Sequence, residues 1–296
     1  MDSGFSLVAP SFLGIGVQKC ASTWIHRILE DHPQVYVSSP KEVDFFSYHY
    51  HFGFQWYENH FINGGGEICG ENSPSYFSDE RVPKRVAEYK PEMKIIICLR
   101  DPVERILSHH AHEVRLGHVD AQMSFHDALK NNPMYVKQSM YGSYLEAWKQ
   151  TFPAEQVLVL LQEHIQDKPA EIAMQVYEFL NIEPNFKSLF LTQKANVSQM
   201  SSYPAFEACL KKSARQFRRL GLGRMVKGVK GMSGIQKIRQ SQMQDIRSLI
   251  PSLSEEEQAG LDKLFAQDMM KLQGLIDVDL SCWATYQRCR RAGYDI

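Results

Sequence analysis

The sequence predicts an α/β fold of three layers, in which helices cover both faces of a central parallel sheet. Short apolar runs alternate with segments of helical length, and this alternation is typical of parallel α/β sheets. The run from Met93 to Leu99 is nearly continuous in apolar residues, as expected for a central strand that is covered on both faces. We expect strands at 12–17, 35–37, 68–69, 93–99 and 157–161.

Helices are predicted in the segments between these strands. One is expected just after Ala21, and another runs from Pro102, a residue favoured in a first helical turn, to about Leu116. Further helices are expected near 140–150 and 169–181. Ser254 and Glu257 form a capping box, so a last long helix should begin there and run toward Gln273.

Composition points to an ordinary globular protein. The 296 residues are expected to form a single domain (1–296), with an α/β core at about 11–190 and a mostly helical region at about 190–296. The charges of the 33 basic and 34 acidic residues nearly cancel, which argues against a nucleic-acid partner.

The six cysteines lie at no metal-binding spacing, which suggests a reducing compartment. With no long apolar stretch, we expect no signal peptide or membrane span, and a cytoplasmic location. The oligomeric state is left open.

One segment departs from this balance. Between Ala208 and Gln244 there is no acidic residue, while ten residues are basic. It is interpreted as a solvated face, a lid, or a surface for an anionic acceptor or for peripheral membrane contact (208–244), and the sequence leaves these alternatives open.

The segment from Phe12 to Trp24 predicts an anion site. Its pattern predicts a strand, a tight turn and a helix whose first backbone N–H groups can bind an anion. Lys19 adds a positive charge, and Ser22 and Thr23 add hydroxyl donors. The simpler alternative is a plain strand-to-helix connection. A nucleoside-triphosphate P-loop needs a glycine before its lysine and Ser or Thr after it, whereas here Cys20 follows Lys19. A P-loop-like site without metal therefore fits better.

Four segments, in order along the chain, resemble the sulfotransferases that use 3′-phosphoadenosine 5′-phosphosulfate (PAPS). Gln18-Lys19-Cys20-Ala21-Ser22-Thr23 is similar to their 5′-phosphosulfate loop. Pro40-Lys41-Glu42-Val43-Asp44-Phe45-Phe46 and Glu71-Asn72-Ser73-Pro74-Ser75-Tyr76 resemble the base segment and the substrate-side loop of the heparan-sulfate and bacterial carbohydrate branch. The stretch from Leu99 to His110 resembles the 3′-phosphate motif. The likeness covers about residues 11–181.

The resemblance implies a PAPS-dependent O-sulfotransferase with PAPS as cofactor and 3′,5′-adenosine bisphosphate (PAP) as product. Glu42 and Lys19 are the implied catalytic residues. The implied cofactor-binding residues are Lys19, Cys20, Ala21, Ser22, Thr23, Trp24, Arg100 and Ser108. Substrate contacts are expected from Lys41, Asp44, Ser73, Ser75, Tyr76 and His109.

Chemistry supports these roles, and each also has a plainer explanation. A carboxylate in a closed, partly apolar loop suits general-base work, but Glu42 is alternatively a solvated partner of Lys41. Arg100 follows the central strand and suits a phosphate, but it is alternatively one half of a surface pair with Asp101. Trp24 is expected either to stack on adenine or to lie in the core.

No metal site is predicted, because no histidine lies in a metal-binding pattern. The favoured function is transfer of a sulfuryl group from PAPS to an acceptor hydroxyl, most readily one on a glycan. A lipid, sterol or other small alcohol is the alternative acceptor. A P-loop nucleotide kinase and a binding protein without activity are the more distant alternatives.

Overall fold

The structure of the protein is a computed structural model, which describes residues 9–64, 68–191, 199–201, 243–245 and 250–296. The chain forms two compact units. The first comprises Met1–His109, Leu129–Ala195 and Leu253–Ile296, and the second comprises His110–Ala128 and Asn196–Ser252. The single-domain organisation and the helical character of 190–296 stay predictions, because much of that region lies outside the described residues.

The first unit is built on a five-stranded parallel sheet. Its strands are β1 (Phe12–Gly16), β2 (Val35–Val37), β3 (Ile68–Asn72), β4 (Lys94–Leu99) and β5 (Val157–Leu161). Their spatial order is β2-β3-β1-β4-β5, with Gly14 paired to Asn72 on one side and to Ile96 on the other. The predicted α/β class is confirmed, and β4 is buried almost throughout, as its apolar run predicts.

The helices of this unit follow the strands. They are α1 (Ser22–Glu30), α2 (Phe54–Glu58), α3 (Val82–Tyr89), α4 (Pro102–Leu116, which continues into the second unit), α5 (Phe125–Asn131, likewise divided), α6 (Met134–Lys137), α7 (Tyr141–Thr151), α8 (Gln162–Asp167), α9 (Pro169–Leu180), α10 (Glu255–Gln273) and α11 (Ala284–Arg291). The capping box at Ser254 is present, with its hydroxyl accepting the N–H of Glu257 at 3.2 Å.

Chain direction assigns the helices to layers. Parallel crossovers are right-handed, so the β1-to-β2 connection puts α1 on one face, and the connections through β4 to β5 put α3 and α7 on the other. The helix α9 lies with α1, since the Tyr177 hydroxyl donates to the Ile28 carbonyl at 3.1 Å. The chain that follows β1 crosses one face of the sheet, and the chain that follows β4 crosses the other face. Open α/β sheets bind ligands at the carboxyl ends of two such neighbouring strands.

The second unit has a small apolar cluster of its own. Ala111 and Val114 are buried and pack against Val119, Ala121 and Ile250. Two short strands, β6 (Gln199–Ser201) and β7 (Met243–Asp245), pair antiparallel. The basic segment 208–244 lies outside the described residues except for Met243 and Gln244, so its predicted roles stay predictions.

Candidate active site

The loop that leaves β1 is a tight turn ending at the N-terminus of α1. Gly16, Lys19 and Ala21 all have positive φ, of 123°, 72° and 55°. A side chain at Gly16 would strain this backbone, and its Cβ would lie 3.0 Å from the Pro74 carbonyl oxygen. Within the described residues, the backbone N–H groups of Ala21 and Ser22 donate to no other backbone carbonyl. These amides and the half-buried Lys19 lie at the N-terminus of α1, where the sequence predicts an anion cradle, and anion binding there stays a prediction.

Two residues of this segment face the core instead. The Cys20 thiol is fully buried, 3.9 Å from the Tyr141 hydroxyl, and burial raises its pKa to about 12. A thiol in this position stays protonated at neutral pH. Trp24 is 4% exposed, as the core alternative predicts, while Ser22 and Thr23 are only half-buried. Adenine stacking on Trp24 stays a prediction.

Arg100 directly follows β4, the strand beside β1. Its guanidinium is 14% exposed and lies 3.0 Å from the Glu104 carboxylate, one turn along α4. The alternative pairing with Asp101 is wrong, because the buried Asp101 carboxylate caps α4 by accepting the N–H groups of Val103 and Glu104 at 3.0 and 3.1 Å. Ser108 lies two turns further along and is half-buried.

The chain's C-terminal part supports this region through interactions that the sequence does not reveal. Asp101 also accepts the N–H and the hydroxyl of Thr285, both at 2.8 Å. Glu163, just after β5, accepts the Asp101 N–H and the Trp283 indole N–H, both at 3.0 Å, and burial raises its pKa. The start of α11 is therefore tied to the carboxyl ends of β4 and β5, beside Arg100.

The segment carrying Glu42 turns into the core only after that residue. The Glu42 side chain is 40% exposed and lies 3.3 Å from the Lys41 ammonium. The closed, apolar surroundings predicted for it are therefore wrong. Burial begins at Val43 and is complete at Phe45 and Phe46. The pairing with Lys41 matches the alternative stated for Glu42, and its catalytic role stays a proposal.

A buried histidine that the sequence analysis missed lies on the first helix. His26 is 9% exposed, and its Nδ1 has no hydrogen-bond partner among the described residues. Burial lowers its pKa to about 4, and the positive charges of Lys41 and Arg27 add to this effect. His26 is therefore neutral near pH 7.

A second carboxylate, Glu71 at the end of β3, is fully buried. It accepts hydrogen bonds from the Ser73 hydroxyl at 2.5 Å and the Tyr76 hydroxyl at 2.6 Å. Burial raises its pKa to about 7, although the hydrogen bonds from Ser73 and Tyr76 oppose this shift. Glu71 opens one of the four family-like motifs but has no predicted role, and the local signal for its burial is a carboxylate next to the end of an apolar strand.

The remaining predicted substrate residues fall into two groups. Ser73, Ser75 and Tyr76 bind the Glu42 segment: Ser73 and Tyr76 are fully buried, and Ser75 donates to the Asp44 carboxylate at 2.5 Å. His109 lies apart from them on α4, where it is 5% exposed and its Nδ1 lies 3.3 Å from the buried Arg105 guanidinium. Direct acceptor contacts from all of these side chains stay predictions.

Two searches of the described residues concern metal ions and membrane spans. In the described parts of the chain, no three His, Cys, Asp or Glu side chains group so as to hold a metal ion. No helix among these residues is long and apolar enough to cross a membrane.

A family model described as a sulfotransferase domain matches residues 10–273. The chain belongs to this sulfotransferase family. The resemblance drawn from the four motifs is confirmed, and the sulfuryl donor is PAPS. Family membership also decides against the nucleotide kinase.

Curated relatives include human bifunctional heparan sulfate N-deacetylase/N-sulfotransferase 3, which is 31% identical over 200 residues, covering 60% of this chain and 23% of that protein. The human enzyme numbered 2 is 31% identical over 196 residues, covering 59% of this chain and 22% of that protein. This sulfotransferase chain therefore matches less than a quarter of the length of these relatives.

Among solved structures, a sulfotransferase from Alicyclobacillus acidocaldarius has the same fold. The TM-score is 0.68 at 21% identity, over 93% of this chain and 99% of that one. The match supports the sulfotransferase-like fold predicted for the chain.

Proposed function

We propose that this sulfotransferase transfers the sulfuryl group of PAPS to a hydroxyl group of a glycan, with Glu42 as general base. As the acceptor oxygen bonds to sulfur and its proton passes to Glu42, the bond between sulfur and the 5′-phosphate oxygen of PAPS breaks. The negative charge that develops on the 5′-phosphate of the departing PAP needs a nearby cation. Lys19, at the anion cradle, is proposed for this role. Arg100 and Ser108 are proposed to hold the 3′-phosphate, for which a guanidinium at the carboxyl edge of the sheet is well suited.

One observation carries the proposal: the acceptor-side segment is joined to the anion cradle by short hydrogen bonds. The Asp44 N–H donates to the Ser73 hydroxyl at 2.9 Å, and the Ser73 N–H donates to the Gly14 carbonyl at 2.9 Å. Gly14 lies in β1, five residues before Lys19. A Cβ at Gly14 would lie 1.8 Å from the Asn72 side-chain oxygen, so the Asn72 side chain packs directly over Gly14. In-line transfer needs donor and acceptor groups held at a set separation, which such a connection supplies.

Sulfation of an amine is a second candidate. The relatives at 31% identity are named as N-sulfotransferases. An amine, like a hydroxyl, must lose a proton during transfer, so a carboxylate base serves either acceptor. Lipids, sterols and other small alcohols are the remaining proposed acceptors. We also propose a cytoplasmic location, supported by the buried thiols of Cys20 and Cys98, which form no disulfide among the described residues.

The test is transfer of labelled sulfate from PAPS to matched acceptors. One is an N-acetylated glycosaminoglycan, which offers only hydroxyls, and the other is the same polymer after N-deacetylation, which adds free amines. Label on both supports hydroxyl transfer, and label on the deacetylated polymer alone supports amine transfer. Label only on lipids, sterols or phenols would overturn the glycan proposal. Lys19→Met should abolish all transfer, while Lys84→Met, at an exposed lysine on α3, serves as the control.

A further inference from the structure

We propose that Glu71 is a positioning residue that fixes the backbone of residues 44–46, and through it the Glu42 side chain, in place for sulfuryl transfer. This inference rests on the proposed role of Glu42 as the base. Glu71 itself is 0% exposed, so it acts through other groups rather than on an acceptor.

Each oxygen of the Glu71 carboxylate orients one hydroxyl. The Ser73 hydroxyl donates to Oε2 and the Tyr76 hydroxyl donates to Oε1. A hydroxyl has one proton and two acceptor lone pairs, and a carboxylate that is ionised, as Glu71 is at pH 8 and above, can only accept. Because both protons are held by Glu71, both hydroxyl oxygens are left to accept from other donors.

Those donors are backbone N–H groups of the Glu42 segment. The Asp44 N–H donates to the Ser73 hydroxyl at 2.9 Å, and the Phe46 N–H donates to the Tyr76 hydroxyl at 3.3 Å. One buried carboxylate thus sets the direction of two hydrogen bonds to the segment. A neutral amide at position 71 has one oxygen and an NH₂ donor, so at least one hydroxyl must turn its proton elsewhere.

Other contacts also hold this segment. The Arg85 guanidinium donates to the Phe46 carbonyl at 2.7 Å and lies over the Tyr50 ring at 4.2 Å. The Phe45 ring stacks on Tyr57 at 4.5 Å. Glu42, in contrast, has an exposed side chain paired only with the adjacent Lys41 among the described residues. Its position therefore depends on the backbone of residues 44–46, two residues further along.

The experiment compares Glu71→Gln with a matched control, Glu58→Gln. Glu58 accepts the Tyr89 hydroxyl at 3.1 Å, so the control also neutralises a carboxylate bound to a tyrosine and leaves Ser73 and Tyr76 intact. Backbone hydrogen exchange is measured by NMR at the Asp44 and Phe46 amides. We expect exchange at one or both to be about threefold to tenfold faster in Glu71→Gln, the effect of losing one hydrogen bond, and unchanged in the control.

Kinetics provide the second readout. In Glu71→Gln, kcat should fall by about tenfold, while the KM for PAPS and the Kd for PAP stay within about twofold, because the anion cradle is untouched. A loss of general structure would change all three. Unchanged exchange at both amides, or an unchanged kcat, overturns the inference.

Single hydroxyl deletions test the inference if Glu71→Gln does not fold. Ser73→Ala should speed exchange mainly at the Asp44 amide, and Tyr76→Phe mainly at the Phe46 amide. Equal effects at both amides from either variant would overturn the assignment. The exchange measurements need no acceptor, so they are independent of a failure of the proposed function, which would appear as full turnover in Glu42→Gln.

Discussion

The buried Glu71 carboxyl should make the protein less stable as pH rises. The variant Glu71→Gln should lack this pH dependence. Its pKa rises from 4.5 to about 7 on folding, mainly through burial. A raised carboxyl pKa means that the folded state binds the proton more tightly than the unfolded state does. The contribution of this group to the free energy of unfolding is therefore full below about pH 4.5 and is lost as pH rises through about 7.

The magnitude follows from the pKa difference. A difference between 4.5 and about 7, at about 1.4 kcal/mol per pKa unit, corresponds to about 3 kcal/mol of unfolding free energy. Glutamine has no proton to exchange at this position, so the variant lacks this contribution. Every other titrating group is common to both proteins and cancels in their difference, provided that the substitution leaves its surroundings unchanged.

Urea unfolding, followed by tryptophan fluorescence at half-unit steps from pH 5 to 8, measures the effect. The free energy of unfolding of the wild type minus that of Glu71→Gln should fall by about 2–3 kcal/mol across this range. A difference that stays flat within about 0.5 kcal/mol, or that rises with pH, would refute the reasoning, since it would mean that Glu71 ionises in the folded protein as it does in water.

Four further outcomes are expected. Glu42→Gln should lower kcat by about 10²–10⁴-fold with PAP affinity nearly unchanged, and near-normal turnover would remove Glu42 as the base. Arg100→Ala should weaken PAP binding by about 2–5 kcal/mol, and adenosine 5′-phosphate binding much less; equal losses would show that Arg100 does not bind the 3′-phosphate. Titration calorimetry should give the same PAP affinity with and without EDTA, whereas a strict Mg²⁺ requirement would contradict a metal-free site. Asp101→Ala should lower the free energy of unfolding by about 2–4 kcal/mol, because it removes the α4 cap and both Thr285 hydrogen bonds, and a thermal shift below about 2 °C would contradict this.

Local patterns are sufficient for the sheet strands and for the helices α1, α4, α7, α9 and α10, whereas α2, α3 and α8 are not predicted. β2 and β5 have the predicted bounds, and α4 begins at Pro102 and ends at Leu116 as expected. These elements are specified by apolar periodicity, a proline in the first turn and a capping box, all of which are signals within about twenty residues. The anion cradle is predictable for the same reason, since one short segment contains the strand, the turn and the helix start.

Interactions between distant segments explain what the sequence analysis missed. Local sequence offers Asp101 its neighbour Arg100 and the first N–H groups of α4 as partners, yet Asp101 also binds Thr285, which lies 184 residues away. Burial of Glu71 depends on the pairing of β3 within the sheet and on the aromatic residues of the 45–57 segment, which pack around it only in the folded chain. Periodicity predicts which face of an element is buried, but not which polar group that burial encloses.

The two carboxylates show why an unusual pKa and a catalytic role need not coincide. Glu71 has the pKa near neutrality that general bases often have, but it is fully buried and both of its oxygens accept hydroxyl protons from Ser73 and Tyr76. An acceptor could reach it only by displacing these hydroxyls. Glu42 is 40% exposed, and its one described partner, the Lys41 ammonium, contacts a single oxygen. Its other oxygen can meet an acceptor proton without breaking a buried hydrogen bond, so accessibility favours Glu42 as the base and leaves Glu71 to hold it in place.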